Sequence, residues 1–429
     1  MFETALILVA LLVLVFALVA QRIARWPLTA PMVFLGAGVL LSQTGWVDPH
    51  EGEHALHILA EATLVILLFL DASQIDLAQF KRQHIWPQRM LLIGLPLSIA
   101  IGTVANVVFL PEWPILAAAL AAGLLAPTDA ALGQSVVSNK RIPGRVRRGL
   151  TVESGLNDGL ALPIILLLAS LLGGASSNDA QSWLVFGASQ IVLGPIAGIA
   201  VGLTGGWAML QAHKRGWTGE AYEGVATLSF AALSYLVATQ IGGNGFIAAF
   251  IAGLCFGNML KGRCKFVFEF TENEGQILMW AAFLLLGLAL VPEAIAHLTP
   301  TLLAVILVSL FLVRPLAIWI SLLGTDASQS TRLFFGWFGP RGLATALFAL
   351  LILPEIGAEW SELILPLAIN AVWISAVLHG VSAVVLGDAY SKAVERMGAC
   401  PEREAMPEPF EASNEQVNNM GIGAQNEQD

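Results

Sequence analysis

Long apolar stretches recur along the whole chain and limit its possible folds more than any other feature. About thirteen stretches, each near the length of about 20 residues that a helix needs to cross the hydrocarbon core, are separated by short polar breaks. They cover residues 3–20, 28–43, 56–72, 90–110, 114–137, 150–172, 184–210, 223–241, 244–259, 275–293, 300–323, 333–353 and 362–387. Because 56% of the residues are hydrophobic and only 12% are charged, a water-soluble fold would lack the polar surface to cover its core. We therefore expect an all-α polytopic membrane protein embedded in a lipid bilayer.

Lysine and arginine occupy alternate connections between these stretches. Nineteen of the 21 basic residues lie in odd-numbered connections or in the C-terminal tail, and the other two, Arg314 and Arg341, lie inside predicted spans. Since positive residues stay on the cytoplasmic side, the N-terminus is predicted outside and the C-terminus inside, in the inner (plasma) membrane. The first stretch follows Glu3 and precedes Arg22 and Arg25, the reverse of a signal peptide, so we expect it to be the first span.

Charge and cysteine content exclude several classes of protein. With a net charge of −10 and no basic block longer than Arg147-Arg148, the chain is not expected to bind nucleic acid. Its three cysteines show no spacing typical of a disulfide framework. Residues 388–429 form the predicted cytoplasmic tail, which is rich in Pro, Asn, Gln and Glu after Gly398 and is expected to be acidic and disordered. No cofactor is predicted.

The fifth span is interrupted by Pro127, and Asp129 follows directly. A proline removes a helical hydrogen bond, and in lipid the freed carbonyls must find other partners or line a polar cavity. A carboxylate at such a break is a common arrangement for a cation site. The alternative is a proline kink at which Asp129 only caps the second half-helix. The depth of Asp129 in the membrane favours the cation site.

The sixth span carries two acids with different surroundings. At about 100° per residue, Ser154, Asn157 and Asp158 share one stripe of the helix, whereas Glu153 points about 140° away from Asp158. Asp158 is therefore predicted to face a polar pocket and to act in ion binding, with a structural hydrogen bond as the alternative. Glu153 needs a cationic partner from another span to stay ionised, and we interpret it as half of a structural ion pair.

Arg314 and Arg341 lie inside the eleventh and twelfth spans, where a charge is costly. Gly339, Pro340 and Gly342 surround Arg341 and predict a second broken helix. The two breaks fall in the fifth span of spans 1–6 and in the fifth of spans 8–13, and interrupted helices at matching positions indicate an inverted-repeat transporter. Four half-helix ends would meet in mid-membrane, and Arg341 would offset the negative ends.

Other acids within or near the spans are less informative. Asp71 ends the third span and is either a further ligand of the pocket or an acid solvated at the inner surface. Glu61, in the same span, is interpreted as a structural polar contact. Glu112, Glu223 and Glu293 lie near span ends and are given no role.

These motifs together resemble the monovalent cation/proton antiporter family, in particular its sodium/proton antiporters of the NhaP and NHE type. The resemblance rests on Thr128-Asp129, on the stretch from Glu153 to Asp158, on Arg314-Pro315 and on Gly339 to Gly342, and it covers about residues 1–390. It implies an NhaA-like antiporter fold and a homodimer. The implied division is interface helices 1–3 in 1–89, core helices 4–6 in 90–172, linker and interface helices 7–10 in 184–293, core helices 11–13 in 300–387 and the tail in 388–429.

The resemblance also implies which residues carry the function. The cation site falls on Asp158, Asp129, Ser154 and the Thr128 backbone, with Asp71 as a further acid. Asn157 belongs to the same group, and its pairing with Asp158 is associated with electroneutral exchange. The core ion pair falls on Glu153 and Arg314. Asp158 and Asp129 are the carboxylates expected to contact Na⁺.

Elementary electrostatics favours the same function. A carboxylate in a low-dielectric pocket is neutralised by a proton or by a cation, but not by both, so one site with two exclusive occupants gives exchange. Oxygen ligands suit a hard ion such as Na⁺ or Li⁺. We expect Na⁺ or Li⁺ exchange for H⁺, by alternating access and electroneutral, with K⁺/H⁺ exchange as the alternative.

Two other functions receive less support. A membrane-bound hydrolase is suggested by His50-Glu51-Gly52-Glu53-His54, which matches the zinc-protease pattern, but we expect these residues in a short outer loop without a surrounding domain. A cation channel usually builds its filter from repeated rings, whereas this chain combines unlike halves with titratable acids.

Overall fold

The chain is helical throughout the part that the computed structural model describes. That part comprises residues 2–23, 26, 28–46, 49–75, 77, 85–129, 132–175, 180–260 and 265–403. Within those helices, the structure does not describe the side chains at 49–58, 60, 180–188 and 265–274 and at 2, 5, 6, 21, 135 and 175. No strand occurs among the described residues.

The helices are numbered by the predicted span in which they lie, with a and b for the two halves of an interrupted span. They are α1 Phe2–Ile23, α2 Ala30–Ser42, α3 Pro49–Ser73, α4 Ile85–Phe109, α5a Ile115–Leu124, α5b Gln134–Val137, α6 Gly144–Ala175, α7 Ala180–Lys214, α8 Glu220–Gln240, α9 Gly245–Leu260, α10 Lys265–Ala289, α11 Pro300–Ser321, α12a Gln329–Trp337, α12b Leu343–Ile356 and α13 Ala358–Met397. Two short helices, Val291–Ala296 and the 3₁₀ turn Pro401–Arg403, complete the set. Thr29, Thr299 and Ser328 begin helices by accepting the N–H three residues on.

Six helices in the described part are long and apolar enough to cross a membrane. They are Ile85–Phe109, Gly144–Gly174, Ser189–Lys214, Glu220–Gln240, Pro300–Ser321 and Ala358–Met397, and several shorter apolar helices accompany them. Every predicted stretch overlaps helix in the structure. The number of helices that cross the membrane, about thirteen, stays a prediction.

Several helices extend beyond the predicted spans, and this corrects three expectations. Helix α6 begins at Gly144, so Arg145, Arg147 and Arg148 lie on a helix and not in a loop. Helix α3 begins at Pro49, so the backbone of 50–54 is helical and not a loop, although those side chains lie outside the described residues. Helix α13 continues to Met397, so the start of the predicted tail is ordered helix. Polar residues continue these helices past the apolar stretch, which hydropathy alone does not predict.

Helices α4 and α11 share a local irregularity. Each contains one π turn, Met90–Gly94 in α4 and Ser309–Val313 in α11, and each π turn is followed by one residue and then a proline, Pro96 or Pro315. A proline without an N–H breaks the i to i−4 ladder and accounts for the wider turn. The fourth predicted span of each half thus carries the same feature, in agreement with an internal repeat that remains a prediction.

Packing sorts most of the helices into two sets. Helices α2, α3, α7, α8, α9 and α10 pack on one another, while α4, α5a, α6, α11, α12a, α12b and α13 pack together, and α3 and α7 meet α6 where the sets join. Helices in the first set approach closely through glycines. A Cβ at Gly198 or Gly202 of α7 would lie 2.5–2.6 Å from a backbone oxygen of α9, and one at Gly194 would lie 2.8 Å from that of Asn244, the residue before α9. This spacing of four residues is typical of tight helix pairs in membranes.

Candidate ion-binding site

The two interrupted helices cross at their breaks. Helix α5a ends at Leu124 and α5b begins at Gln134, while α12a ends at Trp337 and α12b begins at Leu343. The backbone N–H of Asp129 donates to the carbonyl of Pro340 at 2.9 Å, so the two breaks are joined directly. The prolines and glycines that interrupt the sequence pattern therefore lie at one place in the protein.

Asp129 caps the second half of the opposite broken helix. Its Oδ2 accepts the N–H of Leu343, the first residue of α12b, at 2.8 Å, and its Oδ1 accepts the N–H of Leu132 at 3.4 Å. A carboxylate at a helix N-terminus is stabilised by the unpaired N–H groups and the helix dipole. Capping, the alternative to ion binding, therefore occurs here, but mainly on α12b and not on the half-helix of its own span.

Arg341 lies at the complementary end of the crossing. It is 1% exposed, and its Nη1 donates to the carbonyls of Gly339 at 3.1 Å and Ala126 at 3.4 Å. Ala126 follows the C-terminal end of α5a, where helix carbonyls carry partial negative charge. Each break thus supplies the charge that the other broken helix needs, Asp129 for a positive end and Arg341 for a negative end.

Glu153 and Arg314 form a buried bidentate ion pair. Arg314 Nη1 and Nη2 donate to the two carboxylate oxygens at 3.1 Å each, and both side chains are at most 3% exposed. Arg314 directly follows the π turn of α11, and Glu153 lies on α6. A Cβ at Gly339 would overlap the Arg314 guanidinium, and one at Gly342 would overlap the Asp129 carboxylate. The two glycines around Pro340-Arg341 therefore make room for one charged group each.

Thr128 connects the ion pair to the rest of the site. Its hydroxyl lies 3.2 Å from Ser154 Oγ and 3.3 Å from both Glu153 Oε2 and Asn157 Nδ2. Asn157 Nδ2 also donates to Glu153 Oε1 at 3.1 Å. Asn157 Nδ2 thus bonds to Glu153, one helical turn away, while Asn157 Oδ1 has no hydrogen-bond partner among the described residues.

Asp158 and Asp71 differ from these engaged residues. Both are partly exposed, whereas Glu153, Thr128 and Asn157 are buried. Asp158 Oδ1 has no hydrogen-bond partner among the described residues. The carboxyl groups of Asp129 and Asp71 are near enough to Asp158 to interact with it electrostatically, and a Cβ at Gly155 would lie 3.9 Å from the Asp71 carbonyl. The acids therefore gather around Asp158, at the side where α3 meets α6.

The carboxylates do not form a site by themselves. In the described part of the chain, no three His, Cys, Asp or Glu side chains converge closely enough to hold a metal ion. A cation at Asp158 would need hydroxyl or backbone oxygens as well. Ser154 lies one helical turn before Asp158 on α6, and its hydroxyl oxygen is 3.2 Å from that of Thr128.

Two buried residues next to the crossing are not predicted from the sequence. Ser375 and His379 of α13 are 0% and 2% exposed and bond to the ends of the α12 break. Their spacing of four residues places them on one helix face, which is the signal that could have revealed them. Glu61 accepts a hydrogen bond from the Tyr235 hydroxyl, and Glu223, given no role above, lies 2.7 Å from His213 Nδ1.

Comparison with known proteins extends this description. Residues 7–387 match the family model described as sodium/hydrogen exchanger, transmembrane. The chain is 26% identical to the K(+)/H(+) antiporter NhaP2 of Shewanella sp. (strain MR-4) over 87% of this chain and 64% of that protein. It is 28% identical to the K(+)/H(+) antiporter NhaP of Alkalimonas amylolytica over 79% and 58%. The chain thus spans less than two thirds of either relative.

The fold also has a solved counterpart. The sodium proton antiporter MjNhaP1 from Methanocaldococcus jannaschii superposes with a TM-score of 0.75 over 91% of this chain and 100% of that chain, at 21% sequence identity. The overall fold is therefore that of this antiporter. Because the family model matches most of the chain, this multi-pass membrane protein belongs to the sodium/hydrogen exchanger family.

Proposed function

We propose that the chain is a secondary transporter, not an enzyme, that exchanges a monovalent cation for H⁺ at Asp158. The observation that carries the proposal is the contrast within α6. Glu153 is neutralised by Arg314, whereas Asp158, five residues on, is partly exposed and has an oxygen without a partner. A carboxylate inside a membrane must be neutralised, and at Asp158 the neutralising species is a cation or a proton that binds and dissociates.

Exclusive occupancy of Asp158 accounts for coupling. A bound proton removes the negative charge that attracts the cation, and a bound cation repels the proton. If only occupied forms change their access from one side to the other, each cation crossing one way is matched by one proton crossing the other way. This makes the exchange electroneutral, because each turnover moves one positive charge in each direction.

The proposed cation ligands are Asp158, Ser154, Asp129 and the Thr128 backbone. Asp129 already accepts two backbone N–H groups, yet each carboxylate oxygen has a second lone pair for a cation. Asp71 is proposed as a further acid of the pocket, since its charge acts on both Asp158 and Asp129. Asn157 acts on the other side, by holding Glu153 and Thr128 in position.

Na⁺ or Li⁺ is the cation we propose first, because small hard ions suit a compact oxygen site. K⁺/H⁺ exchange is the second candidate, favoured by the names of the two curated relatives, which are both K(+)/H(+) antiporters. The two candidates differ only in the cation that drives proton movement.

The larger organisation belongs to the same proposal. The set of helices around the crossing would form the mobile core, and the set containing α2, α3 and α7–α10 would form the panel of a homodimer. The chain would lie in the plasma membrane with its N-terminus outside and its C-terminus in the cytoplasm, as the distribution of Lys and Arg predicts.

The test uses everted membrane vesicles with an imposed proton gradient, followed with a pH-sensitive dye. Na⁺, Li⁺ and K⁺ are added separately to vesicles that contain the wild type, Asp158→Asn, or the control Asp388→Asn, whose carboxylate pairs with Arg141 at the surface. We expect at least one cation to dissipate the gradient in the wild type and the control but not in Asp158→Asn. Exchange by Asp158→Asn at the wild-type rate, or no response to any cation between pH 6 and 9, would reject the proposal.

A further inference from the structure

We propose that Ser375 and His379 of α13 form a positioning pair that holds the break in α12 at the width required by the ion site. The inference rests on the proposed function for its effect on transport, but the contacts that carry it are independent of the transported ion. The pair bonds to both ends of the break and belongs to neither broken helix.

The break leaves two backbone groups without helical partners. The carbonyl of Trp337, the last residue of α12a, accepts the Gly339 N–H inside the break instead of a helical N–H, and the Arg341 N–H has no helical partner. His379 Nε2 lies 2.9 Å from the Trp337 carbonyl, and the Arg341 N–H donates to Ser375 Oγ at 2.7 Å. The His379 ring also stacks on the Trp337 indole, with centroids 4.9 Å apart and planes 21° apart. Both ends of the break are therefore attached to one turn of α13.

Both ring nitrogens of His379 have partners. Because a carbonyl only accepts, Nε2 donates to the Trp337 carbonyl 2.9 Å away. Nδ1 lies 2.9 Å from the Ser375 carbonyl and 3.1 Å from the Ser375 hydroxyl, which itself accepts the Arg341 N–H. The two ends of the break are therefore joined through Ser375 and His379.

The position of Arg341 links the pair to the ion site. Its side chain contacts the carbonyl of Ala126, and two residues later the Leu343 N–H binds the Asp129 carboxylate. The other break is held differently, since Asp129 bonds to Leu132 within it and to Pro340 across the crossing. Among the described hydrogen bonds, no other contact joins α13 to Arg341. A wider α12 break would therefore move Arg341 and the start of α12b away from Asp129.

The test compares His379→Leu, His379→Gln, Ser375→Ala and the double variant Ser375→Ala/His379→Leu. Gln keeps a donor for the Trp337 carbonyl, whereas Leu keeps none. The matched control is His297→Leu, which removes an exposed histidine outside the site. Two readouts are used: cation-driven proton movement in everted vesicles, and hydrogen–deuterium exchange of the purified protein over residues 335–345.

We expect His379→Leu and Ser375→Ala to raise the apparent KM for the cation by about tenfold, the effect of losing one hydrogen bond, with little change in maximal rate. The apparent KM of the double variant should not exceed that of His379→Leu, because both changes break the same chain of hydrogen bonds. Amides of 335–345 should exchange faster in His379→Leu and Ser375→Ala, while His379→Gln and His297→Leu stay close to the wild type.

The two readouts separate the pair from the proposed function. If the wild type moves no protons with any cation, the proposed function fails, and the amide exchange alone decides on the positioning pair. Unchanged amide exchange over 335–345 in folded Ser375→Ala and His379→Leu would overturn the inference. So would additive effects on KM in the double variant.

Discussion

Glu153 and Asp158 lie five residues apart on α6 and illustrate how position on one helix separates two roles. Glu153 receives both guanidinium nitrogens of Arg314 and the Asn157 amide. Asp158 faces the other side, near two further acids. One carboxylate therefore has fixed partners, while the other has an oxygen without a hydrogen-bond partner among the described residues.

The buried ion pair leads to a prediction at this scale. Removing one partner strands a buried charge, so Glu153→Leu and Arg314→Met should each lower stability by about 3–5 kcal/mol. Replacing both residues together removes both charges, and the double variant should melt close to the wild type. Thermal unfolding in detergent measures the order of the three variants. A double variant that melts below both single variants contradicts this account.

Sequence reasoning about single residues succeeded where spacing determines the contact. The helical period separates Glu153 from Asp158, and in the structure Glu153 bonds to Arg314 whereas Asp158 Oδ1 has no partner among the described residues. Residue spacing does not predict that Asp129 caps α12b or that Asn157 bonds to Glu153, because those contacts depend on how helices cross and on side-chain rotamers. His379 was not predicted because a single histidine forms no sequence pattern unless it is considered together with Ser375, four residues earlier.

At the scale of elements, glycines decide how closely α7 and α9 approach. A Cβ at Gly198 would lie 2.6 Å from the Ala248 carbonyl, whereas one at Gly36 of α2 meets nothing within 4 Å. Gly198→Leu should therefore cost about 1–3 kcal/mol by forcing the helices apart, and Gly36→Leu should cost little. Melting temperatures of the two variants in detergent test the contrast. Equal melting temperatures would show that the α7–α9 contact is not tight.

The C-terminal 3₁₀ turn is a second element with a defined attachment. Glu402 is buried, and its Oε1 accepts the Ser328 N–H at 3.0 Å and the Thr331 hydroxyl at 2.7 Å. Arg145 donates to the Pro401 carbonyl at 3.0 Å and to Asp326 at 2.7 Å. This turn lies beyond residues 7–387, the part that matches the family model, yet it joins the start of α12a to α6.

The attachment of Glu402 predicts a dependence of stability on pH. Burial opposes ionisation, but the hydrogen bonds from Ser328 and Thr331 outweigh it and hold the pKa of Glu402 below its ordinary value. A lowered pKa stabilises the fold at pH values above the ordinary one, and the contribution is lost as pH falls through the lowered pKa.

Wild type should therefore melt above Glu402→Gln at neutral pH, and the gap should close in acid. Glu395→Gln, at an exposed position nearby, serves as the control and should show no such gap. A gap that stays constant as the pH falls would contradict a role for the ionised carboxylate.

Helix locations could be predicted from the sequence because hydropathy marks the apolar part of each span. Helix ends could not, since polar residues at 144–149 and 388–397 continue α6 and α13 beyond the apolar stretch. The π turns of α4 and α11 also escaped prediction, although Pro96 and Pro315 lie two residues after them. A proline in an apolar stretch predicts an irregularity but not its kind.

On the scale of the whole molecule, two breaks from distant parts of the chain meet and complete each other. Asp129 serves the positive end of α12b, and Arg341 serves the negative end of α5a. The ion pair from α6 and α11 and the Ser375–His379 pair of α13 surround this crossing. Most helices of the second packing set thus contribute to one charged centre, with Asp158 open at its edge.

The proposed exchange depends on competition between a cation and a proton for Asp158. Purified protein in liposomes allows the apparent KM for the transported cation to be measured across a range of pH. Competition predicts that KM rises about tenfold for each unit by which pH falls through the acidic range, while the maximal rate at saturating cation stays constant. A KM that does not change with pH, with only the maximal rate falling in acid, would contradict the account.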